Sequence, residues 1–179
     1  MIKTTCCALI LLFSGVDYIK ANNPDELRRE SVELTEDSLR LVELDSFWAA
    51  LARTVHEGDF EGYKASCHEK SVVVFTSGKN KVSHPMSTAL EGWEPGFDKT
   101  KAGEQQDNVE FRFSQRIGDE TTAHETGVFH FTSADSEGNV IVDQYIHFEA
   151  LLIKEEGVWQ TLMEYQKAVA TQEEWEELK

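Results

Sequence analysis

Residues 109–168 constrain this chain most. They hold strand-like runs at 109–117, 121–132, 140–154 and 158–168, separated only by Gly118-Asp119, Ser136-Glu137-Gly138-Asn139 and Glu155-Glu156-Gly157. Connections this short join antiparallel neighbours, because parallel strands need a long crossover. In the first run Val109, Phe111 and Phe113 alternate with Glu110, Arg112 and Ser114, the pattern of a half-buried strand. The second half of the chain is therefore a meander.

The first half supplies helices. Phe47, Trp48, Leu51, Ala52 and Val55 fall on one helical stripe, with Asp45-Ser46 as the expected cap and Gly58 as the stop. Asp59 opens a second short helix that carries Phe60, Tyr63 and Cys67 on one side. Residues 71–76 are β-branched and apolar, a buried strand, and residues 77–80 turn the chain. Residues 83–103 mix Met86, Leu90, Trp93 and Phe97 with Pro85, Gly92, Pro95 and Gly96, which predicts a broken helix and loop. This order gives an α+β fold, a curved, mainly antiparallel sheet wrapped on N-terminal helices, over residues 43–170. Residues 22–42 read as a polar leader, partly helical from Thr35, and residues 171–179 as an acidic, solvated helical end around Trp175.

Residues 1–21 have a basic start, an apolar run and a small residue before Asn22, the layout of a secretory signal peptide. The run is shorter than the ~20 residues of a membrane span. The expected location is secreted or periplasmic. Removal of that segment would leave Cys67 as the lone cysteine, read as a small buried residue rather than a nucleophile. With 33 acidic against 17 basic residues, the formal charge of -16 repels nucleic acid and anionic membrane surfaces. The 6 histidines lack the short paired spacing of a zinc motif, so no metal site is expected. No Gly-rich phosphate loop or nucleophile elbow is present, and the expected chemistry is cofactor-free.

The Phe47-Trp48 helix, Gly58-Asp59-Phe60, the 72–76 strand and above all the Lys154-Glu155-Glu156-Gly157-Val158-Trp159 hairpin resemble, in that order, the SnoaL-like group of the nuclear transport factor 2-like superfamily, with its ketosteroid-isomerase-like members. The resemblance implies a cone whose open end admits small molecules, often in a homodimer. Reactions in the group range from isomerisation to dehydration and epoxide hydrolysis.

The last hairpin yields an expected site. A three-residue turn with Gly157 left-handed would pair Lys154 with Val158, and so place Ile153 opposite Trp159, Leu151 opposite Thr161, Glu149 opposite Met163 and His147 opposite Tyr165. One end of that face is then apolar, with Trp159, and the other polar. Pairing Asp135 with Asn139 would add Glu125 opposite Glu149 and Phe129 opposite Tyr145, whereas a one-residue slip would bring His124 and His130 to that face instead. On this reading Glu149 and His147 are the acid–base groups and Tyr165 donates to a developing oxyanion, while Glu125, Tyr145, Trp93, Trp159 and Met163 contact a small, largely apolar ligand. Structural readings stand beside these: Glu125 pairing with Arg112, Glu149 with His147 or Lys167, and Trp93 filling the core. A second function class is a non-catalytic binding or homodimeric module using an outer face formed by Val142, Ile146, Phe148 and Leu162.

Overall fold

A computed structural model describes residues 24–178; the expected export signal at residues 1–21 lies outside them. The elements are α1 (Pro24–Glu57), α2 (Phe60–Ala65), β1 (Cys67–Phe75), β2 (Val82–Pro85), α3 (Met86–Lys101), β3 (Gln105–Gly118), β4 (Thr122–Asp135), β5 (Val140–Glu155), β6 (Val158–Ala170) and α4 (Gln172–Glu177). The strands form one six-stranded sheet in the order β2-β1-β6-β5-β4-β3, curved around the helices. Every pairing is antiparallel except β1 with β6. The expected α+β architecture and its meander are thus present.

Several local expectations are corrected. Asp45-Ser46 does not cap a new helix: α1 runs through it, and the Ser46 hydroxyl donates back to the Val42 carbonyl at 2.9 Å. The segment expected to be broken is one helix, α3, with Pro95 inside it, because the packing of Met86, Ala89 and Leu90 outweighs one lost backbone bond. Val82–Pro85, not anticipated as a strand, pairs with β1. Trp175 is not on a solvated end: α4, capped by Thr171 and Glu174, lays it against Val128 and Ala170 on the convex side of the sheet.

Leu44, Trp48, Leu51 and Val55 of α1 press into the concave side against Val109, Phe148, Ala150 and Leu152. The Trp48 ring centre lies 4.6 Å from that of Phe111 and 5.7 Å from that of Phe148. Gly58 ends α1 with φ +67°, and a β-carbon there would meet the Lys101 amide nitrogen at 2.4 Å, so glycine lets the ends of α1 and α3 touch.

The final hairpin decides which side chains point inward. Glu156 and Gly157 both have positive φ, 51° and 82°, so the turn has two residues and Glu155 pairs with Val158. The expected three-residue turn is off by one, which turns every β5 side chain to the other face. Ile146, Phe148, Ala150 and Leu152 are buried inside, and the outer face expected from Ile146 and Phe148 does not exist. On β6, Trp159 and Thr161 remain inward as expected. The register then steps from Leu152↔Thr161 to Leu151↔Met163, a bulge that leaves Leu162 unpaired and turns Glu164 and Gln166 inward. In the preceding hairpin the Asp135 amide does bond to the Asn139 carbonyl, but a bulge at Ile141 produces the one-residue slip: His124 lies opposite Leu151, and His130 opposite Tyr145.

Candidate functional site

A cavity of about 390 Å³ lies between the helices and the concave side of the sheet. Trp48 and Leu51 of α1, Tyr63 of α2, Trp93 and Phe97 of α3 and Phe111, Phe129, Phe131 and Phe148 of the sheet give it apolar walls. Gly92 and Gly96, one turn apart on α3, also line it, and a β-carbon on either would meet nothing within 4 Å. Gly92 is exposed to solvent and Gly96 is half-buried, so α3 presents no side chain to the cavity at these two positions. Gln144, exposed to solvent yet part of the lining, marks the opening beside Phe131 and Val109.

The polar groups of the wall come in two places. On β3, Gln105 donates its amide to both carboxylate oxygens of the buried Asp107, at 2.7 and 2.8 Å. On β6, Gln166 donates to Oε1 of Glu164 at 2.7 Å, and Glu164 Oε2 has no hydrogen-bond partner among the described residues. Both Gln–carboxylate pairs are two residues apart on one strand face. Burial pushes Glu164 above the usual carboxylate range, against the lowering effect of the Gln166 bond. The Tyr63 hydroxyl is pushed well above its ordinary value by burial, with Glu164 and Cys67 adding to it. Burial likewise pushes the Cys67 thiol up to about 11, so this cysteine is a poor nucleophile.

The expected site residues do not assemble here. Trp93 lines the cavity; Trp159 is buried at the closed end beside Leu44 and Leu152, its indole nitrogen donating to Glu43 at 2.9 Å. His147, Glu149 and Tyr165 lie on the opposite face of the sheet, with Met163 and Tyr145, for the register reasons above. There Lys167 donates to Glu149 at 2.5 Å and holds its carboxyl below the usual range, with His124 at 3.5 Å adding to the effect. His147 lies 3.3 Å from Glu174, and Tyr145 stacks on His130 with ring centres 4.1 Å apart. Glu125 is inward and fully buried but below the cavity, where it accepts from the Trp48 indole and, at 2.5 Å, from Arg116 rather than Arg112. Sequence reasoning missed Glu164, Gln166, Tyr63, Asp107 and Gln105. A signal existed: Ile146, Phe148, Ala150 and Leu152 are uniformly apolar, whereas the alternate set includes His147 and Glu149.

No protein-family model matches the sequence, and no curated protein does either. Solved structures do match in fold. An NTF-2-like protein of unknown function from Shewanella oneidensis MR-1 superposes with TM-score 0.56 at 11% identity, covering 72% of this chain and 98% of its own. A ketosteroid isomerase-like protein from Erwinia carotovora atroseptica SCRI1043 gives 0.53 at 14% identity, covering 73% and 97%. The chain has the nuclear transport factor 2-like fold. A third match with this cone, from Catenulispora acidiphila and in complex with S-DNPA, gives 0.56 at 13% identity, covering 73% and 93%. The cavity described above is the interior of the nuclear transport factor 2-like cone. No described helix is long and apolar enough to cross a membrane.

Proposed function

We propose that this domain binds a small, largely apolar molecule inside the cone, and that Glu164 is its acid–base group. The observation that carries the reading is the space itself: a cavity of about 390 Å³, lined by Gly92 and Gly96 of α3 and holding one carboxyl with an unpartnered oxygen. That volume suits a small organic ligand. A carboxyl whose protonated form is favoured by burial can donate a proton to a substrate oxygen and take one back, the requirement of isomerase, lyase or hydrolase chemistry without a cofactor. A protein of similar fold from Catenulispora acidiphila is in complex with S-DNPA, which supports small-molecule binding. On this reading the acid–base role expected of Glu149, His147 and Tyr165 falls instead to Glu164, which faces the cavity.

Gly92→Leu combined with Gly96→Leu fills the cavity from α3 without touching the sheet. It is expected to abolish binding of Nile red, a neutral apolar dye, while the circular dichroism of the fold persists. Unchanged dye binding would remove the cavity from consideration as the site. Export and a homodimer remain parts of this proposal, supported by the pattern of residues 1–21 and by the family resemblance; intact mass of the exported protein and light scattering test them.

A further inference from the structure

The cone's ionisable groups share one sign. Among the described residues, no Lys, Arg or His lines the cavity, whereas Asp107, Glu164, Tyr63 and Cys67 do, and each is neutral or negative. Asp107 already has both oxygens satisfied by Gln105, but Glu164 has one oxygen free. The surroundings of Glu164 are aromatic. Parallel pairing puts Val73 beside Glu164 and Phe75 beside Gln166, and all four face inward. The Trp93 ring meets Tyr63 edge-on at 6.0 Å and Phe75 at 6.4 Å. Tyr63 is close enough to Glu164 to feel its charge.

Resting on the reading of the cone as the ligand site, we infer that its guest is cationic: an apolar molecule bearing an ammonium group, seated against the free oxygen of Glu164 among the rings of Tyr63, Phe75 and Trp93. Ring faces attract a cation, and the attraction grows where water is excluded. An ammonium also supplies the donor that Glu164 Oε2 lacks, through a charge-assisted hydrogen bond. A carboxylate ligand would meet only like charge and no basic partner. The burial that disfavours the ionised form of an unliganded Glu164 is offset once a positive charge sits beside it. The acidic protein as a whole, at -16, draws cations towards the opening.

The test compares 2-phenylethylamine, 2-phenylethanol and phenylacetate at neutral pH, read by tryptophan fluorescence, since Trp48 and Trp93 line the cavity. The amine should bind at least about tenfold more tightly than the alcohol, a difference of about 1.4 kcal/mol, and phenylacetate should bind worst. In Glu164→Gln the amine-to-alcohol ratio should fall close to one, and in Glu149→Gln, on the convex face, it should persist. Alcohol binding as tight as the amine's, or a ratio that survives Glu164→Gln, overturns the cationic guest and leaves the pocket standing. Failure of all three probes to bind contradicts both the pocket and the inference built on it.

Discussion

The two faces of this sheet handle the same residue type in opposite ways. Glu149 on β5 and Glu164 on β6 belong to neighbouring strands, and each is one residue away from being registered with the other: Glu149 pairs with Tyr165, Glu164 with Ala150. On the convex face Glu149 is held by Lys167 with His124 nearby, and its carboxyl is stabilised as an anion. On the concave face Glu164 has a single neutral donor and an apolar, aromatic setting, and its anion is penalised. Elsewhere on the convex side carboxylates also have polar partners: His130 hydrogen-bonds Asp143 at 2.7 Å, and His147 lies 3.3 Å from Glu174. The concave side holds Asp107 and Glu164 with neutral glutamine donors and no basic partner, the setting on which the proposed ligand site rests.

The largest expected effect breaks the face assignment itself. Phe148 is 2% exposed and its ring packs against Trp48, Phe111, Phe113 and Phe129. Phe148→Ala should cost about 4 kcal/mol in urea denaturation, whereas Leu151→Ala on the other face should cost about 1 kcal/mol. Equal costs would contradict the inversion.

Glu125 comes next. It is fully buried with Trp48 and Arg116 as donors, and Arg116 also pairs with Asp45 on α1. Glu125→Ala should cost about 3 kcal/mol, because it leaves the buried Trp48 indole N–H without its acceptor and takes from Arg116 one of its two carboxylates. This inward carboxylate, unlike Glu164, is fully compensated, so its loss should weaken the fold and leave the amine-to-alcohol preference intact.

The smallest effects have opposite signs with pH. Glu149 is lowered from its ordinary 4.5, so its contribution is present above that value and is lost as pH falls through the lower folded value. Glu149→Gln should therefore destabilise at pH 7 by about 0.5 kcal/mol and have no effect in acid. Glu164 is raised from 4.5, so the folded state binds the proton more tightly and stability declines as pH rises from that value through the folded one. Glu164→Gln should stabilise at pH 7 and lose that gain in acid, which urea titrations at the two pH values would show.

The cone was legible in the sequence because alternation and short connections are local, and 109–168 contain little else. The site was not, because inwardness depends on single residues. Nothing in Glu155-Glu156-Gly157 announces that Glu156 takes the left-handed conformation, which costs a non-glycine residue about 1–2 kcal/mol; a three-residue turn with one left-handed glycine is the cheaper local choice. No residue type marks the bulge at Leu162 either, and it alone separates an inward Tyr165 from an inward Glu164. Helix α1 escaped for the converse reason: Asp45 and Ser46 look like a cap in isolation, but Asp45 is held by Arg116 of β3 and Ser46 by its own helix.

Glu164 faces the cone and Glu149 faces water. Carboxyl-carbon NMR titration of the two glutamates tests this most directly, with and without 2-phenylethylamine. The expected midpoint lies above 4.5 for Glu164 and below it for Glu149, with the amine moving only the Glu164 resonance. A reversed order, or an amine response at Glu149 and none at Glu164, would contradict it.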